Sequence, residues 1–166
     1  MPSNLHIHDE LAAAYLKSIY RVFLDDGILE MKINRESLKL KVLLQNINVE
    51  HCALVTAYNP VGKKISDEEN EIRHQSLRDD IHENWEFLEG DGLDPEAIWK
   101  PEKSFFIVDI NLDEARELSR KYEQLAFVLT ARIGFARLIA TDPEEQDKLK
   151  TPTLPPNQLT TKSFLH

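Results

Sequence analysis

Four polar side chains stand where their types and spacing could do chemistry: Asn70, Arg73, Glu102 and Ser104. The first two lie in "SDEENEIRHQSLRDDIHENW", Ser66 to Trp85. At about 100° per residue, Asn70, Arg73, His74, Leu77 and Ile81 share one side of a helix. Leu77 and Ile81 suit a core, so Asn70 and Arg73 continue the inward face. Polar groups there must be hydrogen-bonded or line a cavity. Glu102 and Ser104, in "WKPEKS", are two residues apart in an extended segment and point the same way. A carboxylate beside a hydroxyl suits acid–base work or reading a ligand hydroxyl or amine. Arg73 and Glu102 form either a closed ion pair or two walls of an open pocket.

These residues flank "TAYNPVGKKI", Thr56 to Ile65. Asn59-Pro60 followed by Gly62 is turn chemistry, since proline presets φ and glycine admits positive φ. Ser66 and Glu69 form an S-x-x-E capping box, which starts the helix at Asp67. In open α/β sheets ligands collect at strand ends, so the expected pocket is the strand-to-helix junction after Asn59.

The remaining elements are read from periodicity. Asp9 to Phe23 reads as one amphipathic helix, ended by Asp25-Asp26-Gly27. "ILEMKIN" alternates as a strand. "RESLKLKVLLQN" reads as a short helix with Leu38, Val42 and Leu43 inward. "HCALVTAY" and "SFFIVDI" read as strands, the first of them central. "EFLEGDGLDPEAIWKPEK" reads as a weak strand and a long loop. Asn111 and Glu114 cap a further helix, and "QLAFVLT" and "GFARLIAT" form a closing hairpin. The expected fold is a single α/β domain, with α+β as the variant, built on a mixed β-sheet flanked by helices. It spans residues 1–141, with the N-terminal helix at 9–23. Residues 142–166 read as a proline-containing, extended or disordered tail.

Composition narrows the function. The 166 residues carry a net charge of −9, and no basic stripe of the kind nucleic-acid binders show is visible. No apolar run reaches the roughly 20 residues a membrane helix needs. "MPSNLHIHDE" has no signal-peptide pattern. The single cysteine, Cys52, reads as a buried reduced thiol, which suits the cytosol. The acidic loop Glu86, Glu89, Asp91, Asp94 and Glu96 matches no calcium-loop spacing. No nucleotide, zinc or redox motif is present, so neither metal nor cofactor is expected.

Three stretches together, "TAYNPVGKKISDEENEIRHQSL", "WKPEKSFFIVDI" and "DEARELSRKYEQLAFV", resemble the bacterial and cyanobacterial domain family of unknown function DUF3293. The resemblance runs over roughly residues 29–141. The chain departs from it at Glu123, where the family commonly has glycine, and at "LTARIG". The resemblance names no reaction. It implies that Asn59, Asn70, Arg73, Glu102, Ser104 and Gln124 form one polar constellation, with Tyr58 or Trp99 as a stacking face. The leading expectation is a pocket for a small polar or anionic metabolite or a nucleotide. One alternative is a hydrolase or transferase with Glu102 as acid or base. Another is a protein-interaction module using the acidic surface or the C-terminal tail.

Overall fold

The computed structural model describes residues 4–96 and 100–150. They form one α/β domain: a seven-stranded sheet in the order β2-β1-β4-β5-β3-β6-β7, with helices on both faces. The strands are β1 (Ile19–Leu24), β2 (Gly27–Lys32), β3 (His51–Thr56), β4 (Phe87–Leu93), β5 (Glu102–Val108), β6 (Ala126–Ala131) and β7 (Phe135–Ala140). The helices are α1 (Asp9–Lys17), α2 (Leu38–Ile47), α3 (Asp67–His82) and α4 (Leu112–Lys121). Every strand pairing is antiparallel, which corrects the expected mixed sheet. The early alternation of helix and strand suggested parallel crossovers. Instead, β3 is inserted between β5 and β6, antiparallel to both.

The sheet curls until its two edges meet. Just beyond β2, Glu36 bridges to Phe135 of β7, and Asn34 donates its backbone N–H to Ala136 at 2.8 Å. One face then wraps a core of Val22, Leu54, Phe106, Val128 and Leu138, capped by α1 and α2. The other carries Val55, Phe105, Ile107 and Phe127 under α3 and α4. Phe105 and Phe106 are both fully buried. Consecutive strand residues point to opposite faces, so both faces must be covered. Each phenylalanine contributes about 2–3 kcal/mol by that burial.

Three element readings are corrected. The N-terminal helix stops at Lys17, and Ile19–Leu24 is strand β1. Ser18 takes extended backbone, and "IYRVF" is rich in β-formers. Asp25-Asp26-Gly27 is therefore the turn of the β1–β2 hairpin, not a helix stop. In α2 the buried positions are Leu40 and Leu44, whereas Leu38 is 76% exposed. Ser37 caps Leu40 N, so the helix begins at Leu38, three residues after Arg35 where the pattern began, and Leu38 and Val42 fall on its exposed side. Finally, residues 143–149 are 3₁₀ turns packed on the domain, not the start of a tail. Glu145 accepts the backbone N–H of Ile7 at 2.7 Å, and Leu149 is buried. The rest of the expected tail, 151–166, lies outside the described residues.

Among the described residues, no helix is long and apolar enough to cross a membrane, and no cluster of His, Cys, Asp or Glu could hold a metal ion. Cys52 is a buried free thiol, and burial pushes it up to about 11.

Candidate functional site

A cavity of about 170 Å³ opens inside the curl, between the sheet and α1. Its floor follows from strand register. One row across the sheet reads Tyr20, Gly92, Glu102, and the next reads Val22, Gly90, Ser104, Thr56. Residues in such a row share a face. The two central positions, on β4, are both glycine, so the floor is left without side chains between Tyr20 and Glu102. Gly90 has a second reason to be glycine: a Cβ there would lie 2.3 Å from the Arg21 carbonyl oxygen. At Gly92 a Cβ would meet only the Tyr20 ring, at 3.5 Å. The apolar wall is Leu54, Val128 and Leu138, with Leu11 from α1 closing over it. A Cβ at Gly62 would come within 2.7 Å of the Leu11 side chain. That glycine, at φ 73°, therefore lets the Asn59 turn press against α1.

Of the eight expected site residues, Asn59, Glu102, Ser104 and Gln124 line this cavity. Tyr58, Asn70 and Arg73 do not, and Trp99 lies outside the described residues. Arg73 and Glu102 form neither a closed ion pair nor two walls of one pocket, because they belong to opposite faces of the sheet. Helix α3 packs on the face of Phe105 and Ile107, whereas Glu102, Ser104 and Phe106 point into the curl. Arg73 is occupied with backbone. Its Nε donates to the Ala57 carbonyl at 2.7 Å and an Nη to the Tyr122 carbonyl, with Glu123 at 3.5 Å as its ion-pair partner. It fastens the end of β3 to the end of α4. Tyr58 also faces α3, with its hydroxyl donating to Glu71 and its ring edge-on to His74. Burial and that carboxylate push the Tyr58 phenol up to about 12.

Asn70 supports the cavity from behind. Its Oδ1 accepts the Asn59 backbone N–H at 2.8 Å, and its Nδ2 donates to Asn59 Oδ1 at 3.0 Å. Asn59 Oδ1 also accepts the Ile65 N–H at 3.2 Å. A backbone N–H can only donate, so the amide orientation is fixed and Nδ2 is the end of Asn59 left for the Glu102 carboxyl. The turn holding it is strained: Asn59, Val61 and Gly62 all have positive φ, and for Val61 the value is 50°. A β-branched residue there costs about 1–3 kcal/mol, and such strain collects at functional sites.

Glu102 is the electrostatic centre. It is half-buried, and no cation pairs with it among the described residues. Burial pushes its carboxyl up to about 7, against a weaker opposing pull from the Asn59 side chain. Tyr15 of α1 stands close enough that the Glu102 charge, after burial, holds its phenol above the usual range. Tyr20 is held up in the same way, first by burial, and its hydroxyl donates to the Tyr15 carbonyl at 2.7 Å. A carboxyl that changes charge near neutral pH can give or take a proton, or bind a donor. Sequence reasoning missed Tyr15, Tyr20, Gly90 and Gly92. The glycine signal was present: "EGDGL" puts two glycines two residues apart, the spacing of one strand face.

Residues 55–127 match the family model described as "Protein of unknown function (DUF3293)". The match takes in the Asn59 turn, α3, β4, β5, α4 and Gln124, but not α1 over the cavity. No curated protein and no solved structure gives a significant match.

Proposed function

We propose, for a chain whose residues 55–127 match the DUF3293 family model, that the cavity binds a small polar molecule with Glu102 as its central contact. One observation carries the reading: an ionisable carboxyl, desolvated but without a cationic partner among the described residues, faces a preformed and partly apolar cavity. Such a carboxyl costs stability, and fold maintenance gives no reason to keep it. The anionic ligand suggested by Arg73 loses its support, since that guanidinium lies on the other face. A nucleotide loses support through size. A cavity of about 150 Å³ holds one benzene, so this one suits roughly six to eight non-hydrogen atoms.

A second reading, general acid–base catalysis by Glu102, is favoured by its titration near 7. It would act through water, because the Ser104 hydroxyl donates its hydrogen to the Glu102 carbonyl at 3.1 Å. Interaction through the tail concerns residues outside those described. A cytosolic setting fits the single, buried Cys52.

The test is a thermal-shift screen of small metabolites against wild type, Gly92→Val and Arg73→Ala. Valine at 92 fills the cavity floor at a strand position without positive φ, where β-branching is favoured. A true ligand raises the melting temperature of wild type and Arg73→Ala alike, and binds Gly92→Val at least tenfold more weakly. Compounds that stabilise Gly92→Val as strongly as wild type, or depend on Arg73, contradict the reading.

A further inference from the structure

We propose that the cavity selects a primary amine carrying a short apolar group, bound as the ammonium ion. This rests on the cavity being a small-molecule site and adds the chemical class of its ligand. The hydrogens around the cavity point to this class. Seven neutral polar residues among those described line the cavity, and Tyr15 and Asn59 stand beside Glu102; the other five are Ser18, Tyr20, Thr56, Ser104 and Gln124. Each of the five directs its donor hydrogens into the protein. The hydroxyl of Ser18 donates to the Ala14 carbonyl at 2.7 Å, and that of Tyr20 to the Tyr15 carbonyl. The Thr56 hydroxyl donates to the Lys103 carbonyl at 2.7 Å, and the Ser104 hydroxyl to the Glu102 carbonyl. Gln124 Nε2 donates to the Tyr58 carbonyl at 3.0 Å and the Tyr122 carbonyl at 3.1 Å. Every acceptor is a carbonyl, which cannot donate, so neither the hydroxyl directions nor the amide orientation is open to choice.

What these groups can still offer is acceptors: lone pairs on the hydroxyls, Gln124 Oε1 and the Glu102 carboxylate. An ammonium group presents three donors and a positive charge, and the carboxylate makes its hydrogen bond charge-assisted. An alcohol offers one donor and no charge. A carboxylate ligand would set acceptor against acceptor. Among the described residues, two neutral side-chain donors remain inside, Asn59 Nδ2 and the Tyr15 hydroxyl, and both stand beside Glu102. The lysines, Lys64 and Lys100, are exposed, and Lys100 pairs with Asp67 at 2.9 Å. The ligand's carbon part meets Leu11, Leu54, Val128 and Leu138.

The test uses three molecules with one skeleton: 3-methylbutylamine, 3-methylbutanol and 3-methylbutanoate. Each is titrated at pH 8 into the full chain, wild type and Glu102→Gln, and followed by amide NMR at Gly90, Gly92 and Ser104. The amine is expected to shift these resonances and to bind at least tenfold more tightly than the other two. Glu102→Gln, which keeps shape and loses charge, is expected to weaken the amine at least tenfold and leave the alcohol unchanged. The proposal is overturned if the alcohol or the acid binds as well as the amine, if amine binding survives Glu102→Gln, or if the amine does not bind. Binding of the alcohol or acid as tight as the amine's, at the same resonances, overturns the ligand class and leaves the pocket in place. Failure of all three, together with an empty metabolite screen, removes both.

Discussion

Glu102→Gln is expected to make the protein more stable at pH 8, raising its melting temperature by roughly 5–10 °C. The wild-type carboxyl ionises near 4.5 when unfolded and near 7 when folded. Between those values the folded state holds more protons than the unfolded state, so stability falls as pH rises. The penalty is absent below the unfolded value and complete above the folded one, where it reaches about 3 kcal/mol. Glutamine keeps the shape and carries no charge, so it escapes the penalty. The gain should shrink as pH falls through the window from about 7 to about 4.5, and vanish at pH 4. The groups facing this carboxyl support that assignment. Tyr15 and Tyr20 stay neutral, and Asn59 provides only partial compensation. Melting curves of both proteins from pH 4 to pH 8 check this. Equal stability at all pH values would show a well-solvated carboxylate.

Arg73→Ala is expected to do the reverse: a loss of about 3 kcal/mol, independent of pH across the same window. The guanidinium joins the carbonyls of Ala57 and Tyr122, both in buried residues, and the alanine variant leaves each without that donor. Arg73→Lys should recover less than half, because an ammonium cannot reproduce the planar fork. Urea unfolding measures both. Ligand affinity, measured while Arg73→Ala is still folded, should be unchanged. Destabilisation below about 1 kcal/mol would mean that the arginine is not the fastener its contacts describe.

These two residues show what could be read from the chain before the fold was known. The inward position of Asn70, His74, Leu77 and Ile81 was legible because Ser66 fixes where the helix begins and periodicity does the rest. That Glu102 and Ser104 share a direction was legible from their spacing alone. Which face of the sheet each group meets was not. Arg73 points inward from α3, and Glu102 points inward from β5, but these inward sides are the two opposite faces of one sheet. Parity along a strand relates neighbours on that strand. It does not say on which side a later helix will pack. The curl was hidden for a similar reason, since the contact of Glu36 with Phe135 spans most of the domain. Strand β1 was lost because α1 precedes it with only Ser18 between, so apolar residues of two periods ran together. The cavity floor was lost because two glycines in an acidic stretch read as loop, whereas both occupy a strand that pairs on either side.

The ionisation of one carboxyl decides whether the cavity works as proposed, and carbon-13 NMR titration of the Glu102 side chain tests it most directly. The midpoint is expected near 7 in wild type and in Arg73→Ala alike, and it should fall when 3-methylbutylamine is present, because a bound cation favours the ionised form. A midpoint in the ordinary range, near ~4.3, would contradict the account. So would a midpoint that moves when Arg73 is removed.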